Sequence, residues 1–595
     1  MMDVKYFIIF QVFFTFGTWS SSANVSTTAA CDSKIFCQGS ILHTVQMSKL
    51  FHDSKTFVDM KTKCNYDVID TLFNSTEWSK EPNNNKLNET INTCFEKEDS
   101  ELIKWIPTDW VKNPKFLESI KDNVLKGWAY KINLIWKELG RTIIDDVRLK
   151  PTNYSLIYVP NPFIIPGGRF REIYYWDSFW IIRGLLICEM HITAKGMISN
   201  YISMIKTFGH VPNGGRIYYA KRSQPPMITP MIKSYVDATN DMTFVIENIH
   251  ALEIEFQYWM TQHNVTISKN GKNYTLAVYR DYSTGPRPES YREDITKAQF
   301  FKTESERENF YSEIKAAAES GWDFSSRWFI LNGTNKGNIT NTKTRSIVPV
   351  ELNALMFWNA KILSDFYREM NNTVKALKYE NISLEWNEAV TAVLWDEEIG
   401  VWLDFDVINN IKRKYFYPTN ISPLWTGCYA KNQTEYFVTR VLDYLNQADV
   451  LKTPGGIPTT LSKSAEQWDQ PNAWPPLQYI TVMALESTGH KDAKKIASEL
   501  ASKWLCTNYV PFYNTSKMYE KYRVDAGGEI GKSSGEYKIQ DGFGWSNGIV
   551  LEFLQLYNST ASVQNWDVTA KNCSDVLKKL INSKKSNDNT KVDHT

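Results

Sequence analysis

Residues 166–180 read PGGRFREIYYWDSFW, and this stretch is the most informative part of the chain. Behind a Pro-Gly-Gly turn, three charged side chains, Arg169, Glu172 and Asp177, are interleaved with the aromatic rings of residues 174–176. Charged groups that hydrogen-bond hydroxyls, set beside flat apolar faces, suit a neutral polyhydroxylated ligand. A turn before an aromatic-rich structural helix is the alternative, but buried charges need partners that packing alone does not supply. The stretch therefore predicts a sugar site.

A second stretch of similar composition lies at residues 467–476, which read QWDQPNAWPP. Aromatic rings again accompany amide and carboxylate groups, here around prolines, and rigid turns hold such groups at little cost in entropy. Two interpretations are equally favoured. Trp468 and Trp474 either contact the sugar or act as packing wedges in a loop that enters a helix.

Helical periodicity dominates the rest of the chain, and no region alternates strands and helices in the βαβ manner. One predicted helix begins at Asp241, with Asn240 or Asp241 as its N-cap. A second runs from about residue 349 to just before Asn371, a third begins near Ser383, and two more span 476–486 and 493–505. Gly-, Pro- and Trp-rich loops separate them. The pattern indicates an all-α domain in which loops carry the polar chemistry.

The two stretches match, nearly residue for residue, the two signature motifs of the trehalases, and the agreement extends from about residue 150 to 560. The chain thus resembles this family of glycoside hydrolases, which split the α,α-1,1 bond of trehalose. The resemblance implies an (α/α)6 toroid, a barrel of helical hairpins with the active site in the loops at one end. It also implies a disaccharide substrate and no cofactor.

The resemblance further implies roles for individual residues. Asp323 corresponds to the general acid and Glu520 to the general base of a single-step inverting hydrolysis. Residues 314–319 strongly favour a helix, and Gly321 is a natural C-terminal stop. The sequence therefore predicts that Asp323 lies in the loop after this helix. The implied substrate-binding residues are Arg169, Trp176, Asp177, Asn213, Arg222, Gln224, Arg287, Glu289, Gly321 and Glu536.

Two departures from the family pattern are present. The glycine-rich loop before Glu536 carries bulkier residues at 527–535, and Phe179 stands where Tyr is usual. Neither change touches Asp323 or Glu520. We expect the altered loop to affect mobility or affinity rather than the chemistry.

Composition excludes several classes of partner. The 595 residues carry 67 Lys plus Arg against 66 Asp plus Glu, so no strong field exists to attract nucleic acid or an anionic membrane. The eight histidines are scattered without the spacing of a metal site. The sequence predicts no nucleic-acid partner, no metal and no stable membrane anchor.

The N-terminus predicts export. A lysine followed by an apolar run and small residues favours a signal peptide at residues 1–23, with an uncleaved signal anchor as the less favoured alternative. Asn-x-Ser/Thr sequons recur at Asn74, Asn88, Asn153, Asn264, Asn273, Asn332, Asn381, Asn432, Asn514 and Asn558, among others. Together these features predict a secreted, extracellular, N-glycosylated protein.

The domain organisation predicted from the sequence is simple. Residues 24–575 form one glycoside hydrolase domain that includes an N-terminal extension, and the Lys- and Asn-rich residues 576–595 form a disordered polar tail. In an oxidising compartment, Cys31, Cys37, Cys64 and Cys94 are plausible disulfide partners, although their spacing does not fix the pairing. Cys188 lies in an apolar run and is predicted to be buried and free.

Two other functions remain open at this point. The closest is a glucoamylase-like α-glucosidase on the same type of helical toroid, which would cleave maltose. The other is a secreted sugar-binding glycoprotein without activity, although the presence of both Asp323 and Glu520 argues against it.

Overall fold

The computed structural model describes residues 28–75, 84–532, 537–566 and 572–580. The predicted signal peptide, Glu536 and residues 581–595 lie outside these ranges. Within them, no helix is both long and apolar enough to cross a bilayer.

Helices make up most of the regular structure. Their bounds are α1 (Ser40–Met47), α2 (Ser54–Val58), α3 (Tyr66–Asn74), α4 (Asn84–Cys94), α5 (Phe116–Ser119), α6 (Asn123–Leu139), α7 (Asp145–Leu149), α8 (Asp177–Ile187), α9 (His191–Phe208), α10 (Ile228–Thr239), α11 (Met242–Gln262), α12 (Tyr291–Ala298), α13 (Glu304–Glu319), α14 (Val350–Glu369), α15 (Thr373–Leu394), α16 (Ser422–Thr426), α17 (Thr434–Gln447), α18 (Pro475–Glu486), α19 (Lys491–Thr515) and α20 (Gly544–Leu556). Residues 572–580 are also helical, so the first part of the predicted tail, 576–580, has regular structure.

Six of these helices form a closed inner ring. In the order α8, α10, α14, α16, α18, α20, each packs against the next, and α20 packs against α8. Helices α6, α9, α11, α15 and α19 pack against the outside of the ring. The predicted (α/α)6 toroid is therefore confirmed.

The ring closes through a glycine contact between α8 and α20. A Cβ atom built on Gly184 would lie 2.7 Å from the Cα of Gly548, and one built on Gly548 would lie 2.0 Å from the carbonyl oxygen of Trp180. Only glycine permits two helix backbones to approach this closely. The contact therefore sets the spacing at the point where the barrel closes.

The topology places the site-bearing loops together. Consecutive inner helices are separated by an outer helix that returns the chain, so their N-termini share one end of the barrel. The stretch 166–176 precedes α8, the stretch 467–474 precedes α18, and residues 517–543 precede α20. Segments far apart in sequence consequently meet above one end of the ring.

Strands are short and lie mostly in these connections. Their bounds are β1 (Lys61–Thr62), β2 (Phe95–Glu96), β3 (Leu102–Lys104), β4 (Gly140–Ile143), β5 (Phe163–Ile164), β6 (Asn264–Lys269), β7 (Lys272–Ala277), β8 (Ile347–Val348), β9 (Trp395–Asp396), β10 (Val401–Trp402), β11 (Phe405–Asp406), β12 (Ile411–Lys412), β13 (Asn472–Ala473) and β14 (Tyr522–Arg523). The pairing of β13 with β14, which joins Ala473 to Tyr522, ties the second signature stretch to the segment that carries Glu520.

The N-terminal extension has a hydrophobic cluster of its own. Side chains of α1 to α4 pack together, and the cluster includes Tyr174, Tyr218 and Tyr219 from the barrel loops. Disulfides Cys31–Cys37 and Cys64–Cys94 link the four cysteines whose pairing the sequence left open. A third disulfide, Cys506–Cys573, was not anticipated, and Cys188 is buried and free as predicted.

Most predicted helices are confirmed, with two errors in their bounds. Helix α11 begins after Asp241, whose side chain accepts a hydrogen bond from the Phe244 amide, and α14 and α18 match their predicted spans. The helix predicted to begin near Ser383 begins at Thr373 instead. Its first turns bury Ala376 and Tyr379 but expose Val374 and Leu377, and this mixture obscures the apolar stripe in the sequence. The helix predicted for 493–505 continues to Thr515.

We expect Gly548→Ala to lower the free energy of unfolding by about 1–3 kcal/mol or more, because the added methyl group must displace the α8 backbone. Gly127→Ala is the matched control, since Gly127 lies within α6 and a Cβ there meets nothing within 4 Å. That change should stabilise the protein by up to about 1 kcal/mol. Urea unfolding followed by tryptophan fluorescence measures both, and equal effects of the two substitutions would contradict the role given to the contact.

Candidate active site

One cavity at the N-terminal end of the inner ring collects the residues predicted from the sequence. Every site residue implied by the family resemblance that lies in the described ranges lines it: Arg169, Trp176, Asp177, Asn213, Arg222, Gln224, Arg287, Glu289, Gly321, Asp323 and Glu520. Glu536 lies outside the described residues, but its neighbour Tyr537 lines the same cavity.

Arg169 is fixed by partners from distant parts of the chain. Its backbone N–H donates to Oε1 of Gln540 at 2.7 Å. Its guanidinium donates from Nε and Nη2 to the two carboxylate oxygens of Asp53, both at 2.7 Å. A bidentate pair of this kind sets the plane of the guanidinium as well as its position. The N-terminal extension therefore orients a side chain of the cavity wall.

Glu172 does not have the role that the sequence suggested. The expectation was a charged group available to ligand hydroxyls, but the side chain is fully buried and is not part of the cavity wall. Lys55 of the extension lies 2.7 Å from its Oε1, and the Tyr174 hydroxyl donates to the same oxygen at 2.6 Å. Glu172 is consequently a structural anchor between the first signature stretch and α2.

Trp176 and Asp177 lie where α8 begins. The Trp176 amide donates to Oε1 of Gln224 at 3.0 Å, which joins two predicted binding residues. Gly321 approaches the Trp176 ring so closely that a Cβ there would lie 2.6 Å from a ring carbon, and its φ of +79° also favours glycine. Burial raises the pKa of Asp177 well above its ordinary range, and the charges of Glu520 and Asp323 add to the increase.

The other two arginines are also paired with carboxylates. Arg222 donates to Oδ1 of Asn213 at 3.0 Å and to Glu289, so three predicted binding residues form one hydrogen-bonded group. Arg287 makes a bidentate pair with Asp294, with distances of 3.0 and 2.7 Å. Both guanidiniums are almost fully buried, so the paired carboxylates compensate charges that would otherwise be costly to bury.

The loop that carries Asp323 is held mainly through the second signature stretch. Nε2 of Gln467 donates to the carbonyl oxygen of Asp323 at 2.6 Å. Asp469 accepts hydrogen bonds from the Ser325 hydroxyl at 3.0 Å and from the Ser326 amide at 2.8 Å. As predicted, α13 ends just before Gly321 and Asp323 lies in the following loop.

Glu520 is almost fully buried, and its backbone is fixed on both sides. Its amide donates to the Gln540 carbonyl at 3.0 Å, and its carbonyl accepts from the Trp545 indole at 3.0 Å. Oε1 accepts from the Tyr537 hydroxyl at 2.8 Å, whereas Oε2 has no hydrogen-bond donor among the described residues. Burial raises the pKa of Glu520, and the positive charge of Lys521 is the largest influence that opposes the rise.

The two tryptophans of the second stretch pack as wedges and also line the cavity. Trp468 and Trp474 stack face to face with ring centroids 3.8 Å apart and are almost fully buried, so they do pack as wedges. Both also line the cavity, and Trp176 and Trp545 contact this pair. Flat aromatic walls of this kind suit the C–H faces of a sugar ring.

Several residues that build the site gave no signal in the sequence. Asp53 and Asp294, the partners of Arg169 and Arg287, are ordinary acidic residues outside both signature stretches. Tyr537 could have been noticed, because it follows the predicted Glu536. Within the described ranges, no group of three or more His, Cys, Asp or Glu side chains is arranged to hold a metal ion.

Comparisons with known proteins point to one family. The family model described as Trehalase matches residues 49–558. The chain is 49% identical over 547 residues to a trehalase of Apis mellifera, covering 91% of this chain and 87% of the relative. It is 43% identical over 531 residues to the trehalase of Homo sapiens, covering 89% of this chain and 90% of the relative.

Among solved structures, the neutral trehalase Nth1 of Saccharomyces cerevisiae has a similar fold. The TM-score is 0.53 at 23% sequence identity, over 67% of this chain and 74% of that chain. This likeness agrees with the helical toroid. From the match over most of its length and the identity to full-length relatives, we conclude that the chain belongs to the trehalase family.

Proposed function

We propose that this trehalase splits α,α-trehalose into two glucose molecules in a single inverting step, with Asp323 as general acid and Glu520 as general base. One observation carries the proposal. Asp323 and Glu520, far apart in sequence, line the same cavity as the predicted sugar-binding residues. Two carboxyl groups on one site are the minimum that an inverting glycosidase requires.

The surroundings of Glu520 support its role as the base. The Tyr537 hydroxyl holds one carboxylate oxygen, and the other is buried and accepts no hydrogen bond among the described residues, so its lone pairs are not engaged by another donor there. Burial raises the pKa of Glu520, which makes its carboxylate a stronger base. The positive charge of Lys521 opposes this rise and so favours the ionised form of Glu520.

The charge balance around Asp323 supports its role as the acid. A general acid must be protonated before the reaction, and three free arginines nearby would oppose this. In the structure each arginine faces a carboxylate, namely Asp53, Glu289 or Asp294. Their positive charge is therefore largely balanced before substrate arrives.

In the proposed step, Asp323 donates its proton to the glycosidic oxygen while Glu520 removes a proton from a water molecule that attacks the anomeric carbon from the opposite face. Inversion requires room for that water, which corresponds to carboxyl groups about 6.5–9.5 Å apart. Arg169, Arg222 and Arg287 hold the hydroxyls, and the tryptophans cover the ring faces. Glu536 is proposed to bind substrate on the basis of its family position.

We also propose that the protein is secreted and N-glycosylated. Three disulfides are consistent with an oxidising compartment. The sequon asparagines Asn264, Asn332, Asn381 and Asn432 are exposed, which leaves their amides accessible to a glycosyltransferase.

The substrate class is tested by incubating the purified protein with trehalose and, separately, with maltose. We expect glucose to be released from trehalose and not from maltose, because the chain belongs to the trehalase family and its cavity is lined by the residues that the family resemblance implies. Cleavage of maltose at a comparable kcat/KM would favour the glucoamylase-like alternative. Binding of trehalose without release of glucose would favour the inactive sugar-binding protein.

The roles of the two carboxyl groups are tested by Asp323→Asn and Glu520→Gln. Each variant should lose at least about a hundredfold in kcat, the usual scale for loss of a general acid or base. Trehalose binding, followed by quenching of the tryptophans that line the cavity, should remain within a few-fold of the wild type.

Two surface variants, Asp237→Asn and Glu388→Gln, are matched controls for these substitutions. Their side chains are 58% and 54% exposed and lie in surface ion pairs. Both should keep normal turnover. Near-normal kcat in Asp323→Asn or Glu520→Gln would remove the role assigned to that residue.

A further inference from the structure

We propose that Lys521 is a positioning residue of the reaction, which holds Glu520 ionised and links it, through Gln467, to the loop that carries Asp323. The inference rests on the proposed function of these two carboxyl groups. Lys521 does not itself line the cavity, so it acts through Glu520 and not on the substrate.

The position of the Lys521 ammonium is well defined. The residue is fully buried, and Nζ donates a hydrogen bond to Oε1 of Gln467 at 2.6 Å. The same Nζ lies 3.9 Å from Oε2 of Glu520, which is the carboxylate oxygen without a hydrogen-bond donor among the described residues. The aromatic rings of Trp474 and Tyr537 lie 4.8 and 5.5 Å from it.

Gln467 extends this contact to the proposed acid. While its Oε1 accepts from Lys521, its Nε2 donates to the carbonyl oxygen of Asp323 at 2.6 Å. A continuous path therefore runs from the Glu520 carboxylate through an ammonium and an amide to the Asp323 backbone. The β13–β14 pairing reinforces this path, since it joins the two segments that carry Gln467 and Lys521.

The charges that face Glu520 favour this role for Lys521. Burial raises the pKa of Glu520, and the influences that lower it are, in order, Lys521, the Tyr537 hydroxyl, the charge of Arg169 and the Gln540 hydrogen bond. Arg169 is already paired with Asp53. The carboxyl groups of Asp177 and Asp323 also lie in the cavity wall, and a negative charge on either one opposes ionisation of Glu520.

The environment of Lys521 shows the reciprocal dependence. Burial lowers its pKa, and the charges of Glu520 and Asp323 counteract this. An ammonium group enclosed among aromatic rings is costly unless a carboxylate compensates it. Lys521 therefore stays charged chiefly because Glu520 is present, and its charge in turn favours the ionised form of Glu520 that can accept a proton from water.

The test is the dependence of kcat/KM on pH for trehalose, because the acidic side of that profile reports the pKa of the essential base in the free enzyme. Loss of the positive charge raises that pKa, so activity should begin to fall at a higher pH as the solution is acidified. We expect Lys521→Met to shift the acidic limb upward by about one unit or more, the scale of an opposite charge at this distance. Lys521→Arg keeps the positive charge, so its acidic limb should lie at the wild-type pH.

A second variant guards against misfolding of Lys521→Met. Gln467→Glu is almost isosteric and places a carboxylate on the Lys521 ammonium, so it competes with Glu520 for the positive charge. It also removes the Nε2 donor to the Asp323 carbonyl, so we expect kcat to fall, while the pH of the acidic limb reports the change in charge. This variant too should move the acidic limb upward. If Lys521→Met does not fold, the profile of Gln467→Glu decides the question.

Lys315→Met is the matched control for loss of a buried lysine. Lys315 is also almost fully buried, with Nζ 3.5 Å from Asp281 and 2.8 Å from the Ser283 hydroxyl, and it does not line the cavity. This variant should be less stable to heat while its acidic limb stays at the wild-type pH. The control separates a general loss of stability from the specific effect on Glu520.

The outcomes are distinct. An unchanged acidic limb in Lys521→Met or in Gln467→Glu, or an equal shift in Lys315→Met, would overturn the inference while leaving the proposed function intact. Failure of the wild-type protein to hydrolyse trehalose would instead overturn the proposed function. An upward shift in Lys521→Met and Gln467→Glu, reversed in Lys521→Arg, would support the inference.

Discussion

The contact between α8 and α20 closes the inner ring, and the position of the site depends on it. Gly184 and Gly548 allow the two backbones to meet, so the helix that follows the first signature stretch lies beside the helix that follows the Glu520 segment. Because the N-termini of the inner helices share one end of the barrel, their preceding loops converge there. The meeting of Asp323 and Glu520, the proposed catalytic pair, from distant parts of the chain is a consequence of that closure.

The second constraint is that buried charged side chains need partners of opposite charge, and the N-terminal extension supplies some of these partners. Asp53 orients Arg169, and Lys55 binds Glu172 beneath the same loop. The extension also contacts the other side of the site, since Gln46 donates to the Pro288 carbonyl next to Glu289. Arg169 and Glu172 thereby have partners before substrate binds, which keeps the geometry of this wall fixed and limits the reorganisation that catalysis would otherwise require.

Much of this could be predicted from the sequence, for identifiable reasons. The two signature stretches are long enough to specify the family, and the residues carried over from it that the structure describes line one cavity. Local patterns correctly predicted that α11 begins after Asp241 and that α13 ends just before Gly321. What could not be predicted was non-local. Glu172 looked like a ligand contact because the sequence could not place Lys55 beside it, and no local pattern marked Asp53 or Asp294 as the partner of an arginine. The start of α15 was missed because its first turns bury some apolar side chains and expose others.

The most direct test of the account follows the anomeric form of glucose by NMR during the first moments of trehalose hydrolysis. Trehalose joins two α-linked glucose units, so inversion at one anomeric carbon yields one β-glucose and leaves one α-glucose. The account predicts equal amounts of the two anomers before they equilibrate. Release of α-glucose alone would mean retention and would contradict a mechanism in which Glu520 activates water opposite Asp323.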